Sequence, residues 1–139
     1  MSENDTRATV DELFGAYRGH DVERFAALLH DDIDWVIYGP IYVFPFAGLR
    51  RGRAAVLQAV ANISQLYTLE NHTPEVVIVE GDCAAVMADV GFRQIASGRV
   101  IRFRVANFLR IEYGRLIEFR EFADSFDQVE QAIGHTVDI

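Results

Sequence analysis

The chain has 139 residues, half of them hydrophobic, and a formal charge of -8. That length suits a single domain, residues 1–139, with its own core, and the negative charge opposes binding to nucleic acid or to an anionic membrane surface. Every basic residue is Arg, so Schiff-base lysine chemistry and the P-loop lysine are excluded, and the single cysteine, Cys83, excludes an internal disulfide.

Thr9 followed by Glu12 reads as a capping box, and Val10, Leu13, Phe14 and Tyr17 recur at helical spacing, so the first element is an amphipathic helix. Gly19 stops it. Asp21 then caps a short second helix whose apolar face is Val22, Phe25, Leu28 and Leu29. Residues 33–38 are rich in β-branched and aromatic side chains and are closed by Gly39-Pro40, which predicts a strand. The stretch from there to about Gly52 reads as a loop. It is apolar for a loop, and Tyr42, Val43, Phe44, Phe46 and Leu49 need a surface to pack on. Apolar spacing through Ala54, Ala55, Val56, Leu57, Val60 and Ile63 predicts a third helix from Arg53 to about Gln65.

The remaining half alternates as β-structure, and matching apolar faces across turn residues sets the hairpins. A two-residue turn at Gly81-Asp82 puts Val77 opposite Val86, with Gly first as a type II′ turn prefers. A two-residue turn at Ser97-Gly98 pairs Phe92 with Phe103, Val90 with Val105 and Ala88 with Asn107. Near Tyr113-Gly114 a two-residue turn alone puts Phe119 on the wrong face, so a three-residue loop or a bulge is expected. That matches Ile111 with Ile117, Leu109 with Phe119 and Asn107 with Glu121. The opposite face carries Arg93, Arg102, Arg104, Arg110, Glu118 and Arg120, a surface of mixed charge facing solvent or a second subunit.

Two polar residues interrupt the inner face. Asn107 lies in the stripe Ile101, Phe103, Val105, Leu109, Ile111, and Glu121 lies in the stripe Ile117, Phe119, Ala123. Burying an amide and a carboxyl costs a few kcal/mol unless they are paired or reached by water, and small Ala88 beside them leaves space, as in the lining of a small-molecule site. Burial raises a carboxyl pKa, so Glu121 is the candidate acid/base, with Asn107 orienting it or holding a substrate oxygen. Asp124, three residues on, is the alternative acid/base if a bulge turns it inward. On the first strand Tyr38 offers a hydroxyl and Trp35 a flat apolar wall, while Tyr17 and Tyr42 are weaker candidates. His20, His30, His72 and His135 fall in expected loops and the tail without ligand spacing, so no metal site is indicated. No Gly-x-Ser-x-Gly or Gly-x-Gly-x-x-Gly occurs. The polar N-terminal segment and the lack of a long apolar run predict a cytoplasmic protein that does not enter a membrane.

This order of elements resembles the nuclear transport factor 2-like superfamily, and looks closest to its SnoaL-like branch. The residues that carry the likeness are Gly19-His20-Asp21 between the first helices, Leu49-Arg50-Arg51-Gly52-Arg53 before the third, and the closing Arg120-Glu121-Phe122-Ala123-Asp124. The resemblance implies an α+β fold, a cone-shaped cystatin-like roll. Three N-terminal helices pack on a curved, mostly antiparallel sheet in the order α-α-β-α-β-β-β-β. Such folds host isomerases, cyclases, dehydratases, epoxide hydrolases and non-catalytic binding or assembly modules, so the site has to decide. Where the isomerases carry a first-helix Tyr, a general-base Asp and an oxyanion-hole Asp, this chain has Leu13, Ile37 and Asn107. The cyclases' last-strand Asp and the His facing it correspond to Glu121 and Asn107, and only Arg104 and Asp124 resemble part of the epoxide hydrolase set.

The combined expectation is a cofactor-independent acid/base enzyme of isomerase, cyclase or dehydratase type acting on a small apolar carbonyl compound. Glu121 moves the proton, Asn107 and Tyr38 bind the oxygen, and Trp35, Val90, Phe92, Phe103, Val105, Leu109 and Phe119 exclude water. The alternative is a non-catalytic binding or assembly module with the same pocket. In either case no cofactor and no metal is expected, the ligand is a small apolar organic molecule, and the partner is a second copy of the chain.

Overall fold

In the computed structural model, which describes residues 2–139, the chain opens with α1 (Glu3–Arg18). The expected cap at Thr9 is incorrect. Ser2 is the N-cap, exchanging hydrogen bonds with Asp5 in a capping box, and Thr9 sits inside the helix with its hydroxyl donating to the Asp5 carbonyl. Gly19 ends α1, and Asp21 caps the short α2 (Val22–Ala27) by accepting from the Arg24 N–H.

The chain then enters β1 (Leu29–Ile37) and, inside the segment expected to be all loop, β2 (Gly48–Arg51). After α3 (Arg53–Leu66) four long strands follow: β3 (Tyr67–Glu80), β4 (Cys83–Gln94), β5 (Val100–Glu112) and β6 (Arg115–Ala123). A helix not foreseen from the sequence, α4 (Ser125–Ile133), closes the chain. The observed order is therefore α-α-β-β-α-β-β-β-β-α, with the expected α+β class and three N-terminal helices retained. The six strands form one sheet ordered β2-β1-β6-β5-β4-β3, antiparallel except where β1 runs parallel to β6. Pro74, which cannot donate to a ladder, is tolerated because β3 is an edge strand.

The core lies between the helices and one face of this sheet. Val10 and Leu13 of α1, Val56 of α3, Leu29 and Ile33 of β1, Ile111 of β5 and Leu116 of β6 are all but fully enclosed. Fully burying side chains of this size contributes about 1.5–3 kcal/mol each, and this burial holds the helices over the sheet. The apolar loop packs as its composition demands in part. Phe44 and Ala47 are buried, whereas Tyr42 and Leu49 stay exposed.

The hairpins test the register expectations one by one. Glu80 pairs with Cys83 and Val77 with Val86, so Gly81-Asp82 is the two-residue turn expected, with Gly81 at φ 59°. The next hairpin is shifted by two residues. A four-residue loop, closed by Gly98 N–H to the Gln94 carbonyl at 2.8 Å, pairs Phe92 with Ile101, Val90 with Phe103, Ala88 with Val105 and Val86 with Asn107. A slide of two keeps every side chain on its face while changing its neighbours. At the last hairpin, a two-residue turn with Tyr113 at φ 51° and Gly114 at φ 73° is followed by a bulge. The bulge lets Ile111 meet Leu116, so Leu116 takes the inward position expected of Ile117, while Leu109 meets Phe119 and Asn107 meets Glu121 as expected.

Candidate functional site

The helices do not fill the concave side of the sheet completely. They leave a cavity of about 100 Å³ walled mainly by apolar and aromatic side chains from α1, α2, β1, the 39–47 loop, α3 and the four long strands, with Gln128 of α4 also in its lining. Of the wall expected from the sequence, Trp35, Val90, Phe92, Phe103, Val105 and Phe119 line it. Trp35 of β1 stacks on Phe119 of β6 at 4.0 Å between ring centroids, as their paired register requires, and its Nε1–H is buried with no partner among the described residues. Ala88 and Leu109 are corrections. Ala88, moved away from Asn107 by the two-residue slide, packs with Val90 and Val105, and Leu109, paired with Phe119 as expected, is buried in the core and does not line the cavity.

The polar floor forms where the β5–β6 register brings Asn107 and Glu121 face to face. Asn107 is 2% exposed, and its Nδ2 donates to Glu121 Oε1 at 3.0 Å. On its other side Glu121 is paired in register with Ile37 of β1, an apolar neighbour. What surface Glu121 retains borders the cavity. Burial therefore disfavours its charge and pushes its carboxyl up to about 7, against the smaller opposing pull of the Asn107 hydrogen bond. A carboxyl so poised can both accept and donate a proton near neutral pH. Because the Asn107 amide spends a donor on the carboxylate, its geometry is that of an orienting group.

The other two expected site residues lie elsewhere. Asp124 is the N-cap of α4, accepting from the Asp127 N–H at 3.1 Å, and is exposed outside the cavity. The carboxylate serves the unforeseen helix. Tyr38 follows Ile37 in the β alternation, so its ring lies on the outer face, stacked on Phe122 at 4.5 Å. It reaches the cavity rim where its N–H donates to the Glu121 carbonyl. Arg104, on the outer face, pairs with Glu75 and not with Asp124.

Two cavity residues carry chemistry that the sequence reading undervalued. Tyr17 of α1 lines the cavity, and burial, followed by the charge of Glu121, raises its phenol so that it stays protonated. His72, expected in a loop, is in β3 opposite Val90 and lines the same cavity. Its ring lies 4.9 Å from Phe14 and 5.9 Å from Tyr17, centroid to centroid. Its Nδ1 is 3.2 Å from Arg18 Nη1, and burial, then the Arg18 charge, pushes its pKa down to about 4. A second recess of about 260 Å³ lies among α1, α2 and α3, behind a wall of Tyr17, Phe25, Val60, Ile63, Tyr67 and Phe92 shared with the cavity. Among the described residues no helix is long and apolar enough to cross a membrane.

Comparison with known proteins agrees with this geometry. Residues 10–119 match the model of the SnoaL-like domain. No curated protein matches the chain in sequence. A Rhodopseudomonas palustris protein provisionally named an isomerase is 36% identical, with 97% of this chain and 100% of that one covered and a TM-score of 0.85. A nuclear transport factor 2-like protein of Burkholderia xenovorans LB400 is 22% identical, covering 95% and 98% of the two chains at a TM-score of 0.83. TerC, co-crystallised with polyporic acid, is 15% identical over 91% and 98% at a TM-score of 0.79, a likeness of fold alone. A match over most of the chain, a relative above a third identical along nearly its whole length, and a helix-capped curved sheet lead to one assignment: the chain belongs to the SnoaL-like domain family.

Proposed function

We propose that the cavity is the active site of a cofactor-independent acid/base enzyme that moves a proton on a small, largely apolar carbonyl compound. The observation that carries this reading is Glu121, a carboxyl held at about 7 by burial in an apolar cavity and aimed by Asn107. In the step envisaged, Glu121 takes a proton from the carbon next to the carbonyl, and the C–H electron pair moves toward the carbonyl oxygen. The carboxyl then returns the proton, to another carbon in an isomerisation. A cavity of about 100 Å³ favours a compact ligand such as a small cyclic ketone. The provisional naming of the R. palustris relative as an isomerase and the co-crystallisation of TerC with polyporic acid are consistent with such chemistry and with ligand binding in this fold. The reading also takes the protein as a cytoplasmic homodimer, supported by the unpaired Cys83 and by the exposed aromatic cluster Tyr38, Phe108 and Phe122 on the outer sheet face.

The test is α-proton exchange of cyclohexanone, cyclopentanone and small enones in deuterated buffer, followed by NMR. Wild-type protein is expected to accelerate exchange with a rate that rises through about pH 7 as Glu121 ionises. Glu121→Gln should lower the rate about 10²–10⁴-fold while ketone binding persists. Exchange that survives Glu121→Gln refutes the role of Glu121. Ligand-dependent stabilisation with no exchange for any compound selects the alternative, a non-catalytic binding module.

A further inference from the structure

His72 and Tyr17 border the cavity but take no part in the Asn107–Glu121 pair. A guanidinium has donors and no acceptor, so the Arg18 contact at 3.2 Å requires His72 Nδ1 to offer its lone pair. The ring proton then sits on Nε2, on the side of the ring away from Arg18, and the ring itself lines the cavity. With a pKa pushed down to about 4, the imidazole stays neutral across the physiological range and its tautomer stays fixed. Tyr17 packs edge-on to this ring, close enough to Glu121 to feel its charge, and its hydroxyl makes no hydrogen bond among the described residues. Besides the partnerless Trp35 Nε1–H, which lies in the stack with Phe119, the cavity thus holds one acid/base and the two protonated donors Tyr17 and His72, with no Arg among its described lining residues.

We propose that Tyr17 Oη–H and His72 Nε2–H form the oxygen-binding pair of the cavity, holding the carbonyl oxygen of a neutral ketone or enone within reach of Glu121, with Arg18 as the positioning residue that fixes the His72 tautomer. This rests on the proton-transfer reading above and deepens it. When the α-proton passes to Glu121, the negative charge that develops on the oxygen meets two donors already in place. The same lining argues against carboxylate or phosphate substrates, which would enter an apolar cavity beside Glu121 with no cation to pair with.

The probe is cyclohexanone labelled with carbon-13 at the carbonyl, together with nitrogen-15 NMR of His72 in the free protein. The His72 spectrum is expected to show a neutral ring protonated at Nε2 from pH 5 to 8, and Arg18→Met should release a mixture of tautomers. Bound cyclohexanone should show a carbonyl resonance shifted downfield, partly reversed by Tyr17→Phe and by His72→Leu and retained in His72→Gln, whose amide N–H replaces Nε2–H. α-Proton exchange should fall about 10²-fold in Tyr17→Phe and His72→Leu. A cationic or Nδ1-protonated His72 at pH 7 overturns the proposal, as does failure of cyclohexanone to bind or a carbonyl shift indifferent to both substitutions. Because the carbonyl shift needs binding and no turnover, the two readings separate. A shift that depends on Tyr17 and His72 without any exchange keeps the oxygen site and sinks the enzyme, whereas exchange that depends on Glu121 but not on Tyr17 or His72 does the reverse.

Discussion

Asn107 with Glu121 and Arg110 with Glu118 are both polar pairs bridging β5 and β6, three residues apart on the same two strands. Three residues along a strand change the face. The outer pair stands in water with about half of each side chain exposed, and solvent and salt screen it. The inner pair faces the apolar cavity, so among the described residues a single amide supports an ionised Glu121, and its carboxyl rises to about 7. The same residue type thus becomes a carboxyl poised near neutrality or a solubilising charge according to the face it occupies. The candidate residue is marked by what surrounds it, and not by the glutamate itself.

The largest effect expected from this contrast is on stability. A carboxyl whose ordinary value is 4.5 and whose folded value is about 7 is neutral in both states below about pH 4.5. Its contribution falls as pH rises through about 7, reaching a cost of about 3 kcal/mol at pH 8. Glu121→Gln, which mimics the neutral form, should therefore match wild type near pH 4.5 and exceed it by about that amount at pH 8 in urea unfolding. His72 has the opposite slope. Its imidazole, lowered from 6.5 to about 4, contributes stability that is full above pH 6.5 and is lost as pH falls through 4. The two slopes oppose each other between about pH 4.5 and 6.5, so removing Glu121 should steepen the variant's decline on the acid side. Equal stability differences at pH 5 and pH 8 would mean that Glu121 is solvated like its outer counterpart.

Asn107→Leu probes the pair from the other side. It removes the one contact that favours the charged form, so the Glu121 carboxyl should rise further, and the stability loss should be greater at pH 8 than at pH 5. A hydrogen bond to a charged group contributes about 1.5–3 kcal/mol, which sets the scale expected at pH 8. A loss independent of pH would make Asn107 a packing residue.

The floor was legible because β5 and β6 alternate strictly, and only one register, with a bulge or an extra loop residue, keeps both apolar stripes on one face. That constraint placed Asn107 opposite Glu121. The β4–β5 turn lacked such a check, since a slide of two residues preserves the faces, and the displacement of Ala88 followed from it. His72 was hidden because α3 runs into β3 with no turn residue between Leu66 and Tyr67, and because the ladder is interrupted near Asn71 and Pro74. A tertiary pairing made that strand, and local pattern does not carry it. Tyr38 and Asp124 are different cases, because their phase in the pattern is itself legible. Extending the alternation from Trp35 and Ile37 by one residue turns Tyr38 outward, and Asp124 followed three residues later by Asp127, with Val129 and Ala132 at helical spacing, carries the signature of a capped helix.

The smallest effect expected is at the outer pair. In a double-mutant cycle, Arg110→Ala and Glu118→Ala should couple by less than about 1 kcal/mol, and the coupling should shrink as salt is raised. Arg120 lowers it further, because its guanidinium lies 3.9 Å from Glu118 and 3.4 Å from Asp34 and remains as a partner when Arg110 is removed. The matching cycle of Asn107→Leu with Glu121→Gln, run at pH 8, should give the larger coupling and hold it across the same salt range, because the cavity excludes the screening ions. If the outer pair couples as strongly as the inner one, or if the inner coupling fades with salt, then the two faces of the sheet do not differ in solvation, and the elevated Glu121 carboxyl loses its physical cause.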